Sequence, residues 1–354
     1  MNIIQLVPHL PPIASGIGDY SLTIAQKLLS EHDIFTYFIT YELWFAKYVK
    51  EHPYLEQFPV KRIKEKRTEH FLTLLPDDFE AIVLHYNFVE QQETAFWLLH
   101  NLRVARKQHP FKLTVMFHEL TTQFKRKGLY LPAPKHIVSC LSTAGMANHI
   151  LTNNFVAQNY LSKWLNRSVI CIPNFSTIGE PAQVPPLSER NRTMIVFGSK
   201  SRRTVYQKFY PQLLECCHAL GIEKICDIGP PCGVALADFQ EIPLVEMGVQ
   251  PPEVIGELML SSLAGFVDYS HAAGKIGKST IFAAYCSHGL LPISSDDIQS
   301  EGDGLKVNTN YLIPSKQLTQ LTSDQLQEIA NNSHQWYIQH DLGKLVQTFA
   351  SCLL

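Results

Sequence analysis

Short apolar runs alternate with segments of helical period along most of this chain. The pattern predicts strands at Ile3–Val7, Ile34–Thr40, Glu80–Tyr86 and Lys112–His118, with helices at Ser21–Glu31 and Glu93–Lys107. His136–Leu141, Asn148–Asn153 and Ser168–Pro173 extend the apolar series. Strands that are apolar throughout, separated by helices, indicate a parallel sheet covered on both faces. Ser176–Arg192 breaks the pattern. It carries Gly179, Pro181, Pro185 and Pro186 and few large apolar residues, which marks a linker. The alternation resumes with strands at Thr193–Phe197, Lys224–Ile228, Leu244–Met247, Ala264–Asp268 and Leu290–Ile293. Helices are predicted at Tyr206–Leu220, Pro252–Leu260 and Lys278–Ser287, and from Ser323 onward. The expectation is an α/β fold of two Rossmann-like domains, 1–178 and 190–334, facing across a cleft, with a C-terminal helix in 335–354. Ligands of such sheets bind beyond the carboxyl ends of the strands.

At 354 residues the chain is longer than one ordinary core and suits two domains. With 45% hydrophobic and 18% charged residues it is globular rather than disordered. The formal net charge of −2 gives no electrostatic case for nucleic acid, and none is expected as a partner. No apolar stretch reaches the roughly 18 residues that span a bilayer. Met1-Asn2-Ile3-Ile4 lacks the charged region and cleavage site of a signal peptide. The eight cysteines form no CxxC pair and mostly sit in apolar runs, as reduced core residues of a cytoplasmic protein do.

Candidate chemistry concentrates at a few turns. Pro11–Tyr20 joins the first strand to the first helix and contains Gly16 and Gly18. Glycine lets backbone approach a bound group closely, and a helix start offers N–H donors to an anion. The Gly-x-Gly spacing lacks the third glycine of a dinucleotide fingerprint, so a plain strand-to-helix turn is the competing reading. Phe197-Gly198-Ser199-Lys200-Ser201-Arg202-Arg203 follows the first strand of the second half, either as a phosphate site or as a solvated basic loop. Gly274-Lys275-Ile276-Gly277-Lys278-Ser279-Thr280 opens a helix, again as a phosphate site or an ordinary cap. It is not a Walker loop, because Ala272 stands where that motif needs its first glycine. His118-Glu119 is not a zinc motif, because HExxH needs a second histidine where this chain has Thr122.

Four segments together resemble the retaining GT-B glycosyltransferases, close to the large family 4 of sugar-nucleotide-dependent mannosyl- and glucosyltransferases. Ser15-Gly16-Ile17-Gly18-Asp19-Tyr20 resembles the family's glycine-rich turn before the first helix. Val115-Met116-Phe117-His118-Glu119-Leu120 resembles its Val-x-x-His-Glu-Leu strand end. Leu151-Thr152-Asn153 and Ala157–Leu161, followed by Cys171-Ile172-Pro173-Asn174-Phe175, resemble the end of its first domain. Gly277–Ile293, ending His288-Gly289-Leu290-Leu291-Pro292-Ile293, resembles its donor-site helix and following strand. The resemblance is diffuse and spans most of the chain.

The resemblance implies transfer of a hexose from a nucleotide-sugar donor to a sugar, lipid-linked or small-molecule acceptor, with retention of configuration and without a metal or other cofactor. It assigns the acceptor to 1–178 and the donor to 190–334, and returns the C-terminal helix to the first domain. His118 would contact the donor sugar near the reacting carbon; a satisfied buried histidine is the alternative. Arg202 or Arg203, with Lys208, would meet the diphosphate, as would Lys275, Gly277, Lys278, Ser279 and Thr280, while Gly16 and Gly18 give close backbone approach. His9 and Asn87 are candidates on the acceptor side. Cations and helix starts aimed at a leaving diphosphate lower the barrier, because its negative charge grows as the glycosidic bond breaks.

The chain also departs from that pattern. The family's Glu-x7-Glu pair, aligned on Gly289, falls on Ile276 and Ala284, neither of which can bond a hydroxyl through its side chain. Asp268, Tyr269, Ser270 and His271 lie just upstream as candidates for the donor sugar. The loss leaves open a non-catalytic relative that binds nucleotide or a protein partner, and an epimerase or phosphoryl-group enzyme is a further alternative. Asp19 reads as a helix cap. Lys61–Arg67, with Trp44 and Phe45 nearby, is a candidate for peripheral contact with an acidic membrane surface or an anionic acceptor, or else a solvated charged face. Asp296-Asp297 reads as a turn rather than an Asp-x-Asp metal motif.

Overall fold

The apolar runs become the interior strands of two parallel sheets. The computed structural model describes the chain apart from residues 12, 14–15, 42–52, 88–94, 121–122, 127–128, 133, 236–240, 271–273 and 296–300, and describes backbone alone at 123–126, 129–132, 301 and 316. The chain divides into two compact units, Met1–Ile172 with Gly343–Leu354, and Pro173–Leu342.

In the first unit the strands are β1 (Asn2–Val7), β2 (Phe35–Thr40), β3 (Tyr54–Leu55), β4 (Phe58–Arg62), β5 (Ala81–Asn87), β6 (Lys112–Glu119), β7 (Gln123–Arg126), β8 (Leu129–Pro132), β9 (His149–Thr152) and β10 (Ile170–Cys171). Eight of them form one sheet in the order β10-β9-β6-β5-β1-β2-β4-β3, parallel except between β3 and β4, while β7 and β8 pair as a separate antiparallel ribbon. Helices α1 (Gly16–His32), α2 (Thr68–Leu74), α3 (Ala95–Gln108), α4 (Pro134–Met146) and α5 (Phe155–Leu165) belong to the same unit. The core around Ile82, Leu84, Leu113 and Val115 fills one face, and Val7, Leu10, Ala25, Phe38 and Phe58 form a second cluster. Strands buried on both faces have no polar side to show, which is why their sequences are apolar throughout.

His136–Leu141, expected to extend the apolar strand series, lies inside α4. Six apolar-rich residues cannot separate strand from helix by period, and Pro134 at the first helical position is the signal that decides.

The second unit carries β11 (Asn191–Phe197), β12 (Lys224–Ile228), β13 (Leu244–Gly248), β14 (Ser262–Val267) and β15 (Leu291–Ser294), all parallel in the order β13-β12-β11-β14-β15. Its helices are α6 (Arg203–Lys208), α7 (Tyr210–Leu220), α8 (Pro252–Ser261), α9 (Thr280–Ser287) and α10 (Ser323–Ile338). The single helix expected over Tyr206–Leu220 is broken at Phe209, and Pro211 sits in the first turn of the second piece, where its missing N–H costs nothing. The last helix, α11 (Leu342–Leu353), lies almost wholly in the first unit, burying Leu345, Val346 and Phe349 there, and Thr114 Oγ1 donates to Cys352 O at 3.5 Å.

The proline-rich segment Ser176–Arg192 lies inside the second unit. Buried Arg190 orders it by donating to Pro185 O (3.1 and 2.9 Å), Met259 O (3.2 Å), Ser262 O (3.1 Å) and His288 O (2.8 Å). Burial lowers the Arg190 pKa to about 10. Gly289, at φ +62°, completes this joint. A Cβ there would lie 2.2 Å from Val184 Cγ1 and 3.1 Å from Arg190 Nη2.

Candidate functional site

Two groups of strand ends hold the candidate residues, one in each unit. In the first unit β1 leads through His9 and Leu10 into α1. A Cβ on Gly18 would lie 2.9 Å from His9 O and 3.2 Å from Leu10 Cα, so glycine is required where the helix start crosses the strand exit. Gly16 has nothing within 4 Å of its Cβ position, so packing does not demand glycine there. The helix begins at Gly16, so Asp19 is a first-turn residue and not the cap that its sequence position suggested. Burial raises the Asp19 pKa, and the neighbouring His9 opposes that rise. Its carbonyl accepts from Thr23 Oγ1 at 2.9 Å.

His118 sits at an irregularity in the sheet. Tyr86 pairs with Phe117 and Asn87 with Glu119, which leaves His118 as the extra residue of a bulge. Bulges re-aim side chains at the ends of strands. His118 is buried and its Nε2 lies 3.1 Å from His85 Nδ1, while His85 Nε2 lies 2.8 Å from Gln5 Oε1. The two imidazoles lie within 16° of parallel planes with their centroids 5.4 Å apart, and Tyr20 of α1 lies perpendicular to His118 with its centroid at 5.1 Å. Burial pulls the His85 pKa down to about 3. His85, Gln5 and Tyr20 escaped the sequence reading. Their only signal is a polar residue inside an apolar strand, at Gln5 in β1 and His85 in β5. His9 and Asn87 are both buried at strand exits of this sheet.

In the second unit the loop after β11 divides the two arginines. Arg202 is buried and paired with Asp227, and its Nη1 donates to Gly198 O (3.0 Å) and Ser199 O (3.1 Å). It builds the loop, which corrects its candidacy for the diphosphate: its guanidinium is already committed. Arg203 and Lys208, at the two ends of α6, are exposed.

The second basic segment forms a tight turn, Ile276–Lys278, before α9. Lys278 N donates to Lys275 O (3.0 Å) and Ser279 N to Ile276 O (2.9 Å), so these two N–H groups close the turn. Ser279 Oγ accepts from Phe282 N at 3.1 Å and caps α9, and Thr280 is its first residue. Gly277 is buried against Asp303, whose Oδ2 would lie 3.0 Å from a Cβ. Asn174 anchors the turn by donating from Nδ2 to Lys278 O (2.6 Å) and from N to Gly277 O (3.3 Å). Lys275 and Lys278 are half-buried.

Asp268, at the exit of β14, accepts from Ser270 N (3.0 Å), Ser270 Oγ (2.7 Å), Ser295 Oγ (2.6 Å) and Thr204 Oγ1. Burial would raise its pKa, but these hydrogen bonds outweigh burial and lower it. The carboxylate ties the exits of β14 and β15 to α6. Ile276 and Ala284, at the expected glutamate positions, are 1% and 0% exposed and lie in a core with Phe282, Tyr285 and Trp336.

No protein-family model matches the chain, and no curated protein matches it. Solved structures do. The chain shares its whole length with an alpha-glucosyltransferase in complex with UDP, at 10% identity over 99% of each chain and a TM-score of 0.61. It matches Anabaena HepE in complex with UDP at 12% identity over 100% of this chain and 99% of that one, with a TM-score of 0.64. The fold is GT-B. A third match is a GT-B alpha-glucosyltransferase in complex with UDP-glucose and DNA containing an abasic site, 12% identical over 100% of this chain and 99% of that one, with a TM-score of 0.61. This corrects the expectation that nucleic acid is no partner, since a chain of the same fold holds DNA. Net charge is a sum over the chain and does not report the local surface that meets a phosphate backbone.

In this GT-B chain the run Lys61–Arg67 begins at the end of β4, buries Ile63 and brings Arg67 to 3.7 Å from Glu65 and 4.0 Å from Glu69. Among the described residues no helix is long and apolar enough to cross a membrane. Ser15, Trp44, Phe45, Thr122, His271, Ala272, Asp296 and Asp297 lie outside the described residues.

Proposed function

We propose that this chain is a glycosyltransferase that moves a hexose from a UDP-linked donor to a hydroxyl acceptor. The observation that carries this reading is whole-chain likeness in fold, over 99–100% of the chain, to structures that hold UDP or UDP-glucose. The family 4 placement and retention of configuration rest on the sequence segments alone. In this reading the second unit takes the donor and the first takes the acceptor, near His9 and Asn87. Arg203, Lys208, Lys275 and Lys278 meet the diphosphate, with the positive end of α9 behind Thr280. His118 meets the donor sugar near the reacting carbon. The growing charge on the leaving UDP is answered by these cations rather than by a metal ion. Ribose and sugar hydroxyls are read by groups other than positions 276 and 284, where a carboxylate would be desolvated in the core.

Those two apolar positions favour a second reading, a non-catalytic protein that binds nucleotide. One experiment separates the two. The purified chain is heated with UDP, GDP, ADP and their glucose conjugates, and nucleotide release is measured with monosaccharides, lipid-linked sugars and duplex DNA as acceptors. A ligand at 100 times its Kd stabilises the folded state by about 2.7 kcal/mol. Stabilisation by UDP-glucose with release of UDP to one acceptor supports the transferase. Stabilisation without release supports the binding protein, and no response to any nucleotide sinks both.

A further inference from the structure

We propose that Gln5 and His85 hold His118 in one tautomer, with the proton on Nε2 and the lone pair on Nδ1, which makes His85 a positioning residue for the transfer. The positioning role rests on the reading of His118 given above; the tautomer does not.

Hydrogen-bond donation runs in one direction along three buried side chains. An amide oxygen only accepts. Gln5 Oε1 lies 2.8 Å from His85 Nε2, so that nitrogen carries the proton. Burial keeps the His85 ring neutral at ordinary pH. A neutral imidazole has one N–H, so His85 Nδ1 is a lone pair. His118 Nε2, at 3.1 Å, must then be the donor, and the second nitrogen of a neutral His118 is an acceptor. The ring is also fixed in space. It lies nearly coplanar with His85, their centroids 5.4 Å apart, and perpendicular to Tyr20 at 5.1 Å. The lone pair on His118 Nδ1 is therefore fixed in direction. In metal sites, removing a second-layer partner that fixes a histidine's tautomer changes affinity or activity by about ten- to a hundredfold, and a loss at the lower end of that scale is expected here. Turning over the Gln5 amide would reverse both tautomers, so the assignment is open to direct measurement.

The test uses full-length protein labelled with 15N-histidine, read by long-range proton–nitrogen correlation near pH 7 and assigned with His118→Asn. The expected spectrum shows His118 protonated on Nε2 alone. His85→Phe keeps an aromatic ring at the position but removes the acceptor. It should release the tautomer to a mixture and lower kcat by about tenfold or more, with the donor KM within about twofold. His85→Asn should recover most of the rate, since an amide oxygen can stand in for Nδ1. If His85→Phe does not fold, Gln5→Leu leaves both rings in place and should also mix the tautomers. A wild-type His118 protonated on Nδ1 overturns the proposal, as does a tautomer or kcat unmoved in the folded variants. A wild type with the expected tautomer that releases no UDP to any acceptor removes the transferase reading and the positioning role built on it, and leaves the tautomer standing.

Discussion

Asp227 holds Arg202 by two parallel hydrogen bonds, 2.8 Å from Nε to Oδ2 and 2.7 Å from Nη2 to Oδ1, with both side chains buried. Tyr206 Oη donates to the same carboxylate at 2.6 Å. Two glycines wrap the pair. Gly198 and Gly229 take φ of +139° and +143°, and a Cβ on Gly229 would lie 2.0 Å from Gly198 O and 2.6 Å from Arg202 Nη1. Asp227 thus fixes the loop after β11 and so the start of α6, where the neighbouring Arg203 stands exposed. Removing one partner of a buried pair leaves an uncompensated charge, and Arg202→Ala should lower the unfolding free energy by about 3–5 kcal/mol. Arg203→Ala, at the surface, should change it by no more than about 0.5 kcal/mol. Urea titration of both variants checks the contrast; equal effects would show that Arg202 is not the structural member.

Arg203 should instead register in ligand binding. A charge-assisted hydrogen bond contributes about 1.5–3 kcal/mol. Loss of one to the diphosphate should weaken UDP-glucose binding by about tenfold or more, since 1.4 kcal/mol is a factor of ten. Calorimetric titration of Arg203→Ala measures this directly, and an unchanged Kd takes Arg203 out of the donor site.

The strands were legible because they are buried on both faces: Lys224–Ile228 and Lys112–His118 are found within a residue of their predicted limits. The short strands β3 and β4, the last two at one end of the sheet, and the helix α2 were not, since Tyr54–Leu74 mixes charge with apolar residues at no clear period. Sequence spacing could not tell Arg202 from Arg203, because the difference lies in Asp227, 25 residues away and brought alongside only by β12. His118 was legible as a strand-end histidine, whereas its partner His85 lies one residue short of Tyr86 in an adjacent strand and depends on the sheet order.

Two buried histidines make stability depend on pH. Burial lowers the pKa of His85 to about 3 and, as the largest influence, that of His288 to about 4, from an ordinary 6.5. Below pH 6.5 the unfolded chain binds protons that the folded chain refuses. The stability from these groups is therefore complete above pH 6.5 and declines as pH falls towards the folded values. Each contributes a slope of up to about 1.4 kcal/mol per pH unit. Carboxylates titrate in the lower part of this range, so the informative quantity is the difference between wild type and His85→Phe. Urea midpoints from pH 7 to 5 should fall less steeply in the variant, and parallel curves would mean that His85 takes up a proton as readily in the folded chain as in the unfolded one.

Gly265 and Tyr285 set how closely α9 packs on β14. A Cβ on Gly265 would lie 2.7 Å from three atoms of the Tyr285 ring. The ring has little freedom to withdraw. It is fully buried, and its hydroxyl lies 3.2 Å from Phe197 N, 3.3 Å from Ile195 O and 3.2 Å from Phe266 O. Overpacking of this kind costs about 1–3 kcal/mol, the loss expected for Gly265→Ala. Tyr285→Phe should cost about 1–3 kcal/mol for a different reason, because it strands the Phe197 N–H. The hydroxyl helps to hold the ring against the strand, and residues in contact couple, so the double variant should lose less than the sum of the two single losses by about 0.5 kcal/mol or more. Denaturant unfolding of the four proteins tests this. Losses that simply add would mean that burial alone, and not the hydroxyl, pins the ring against the strand.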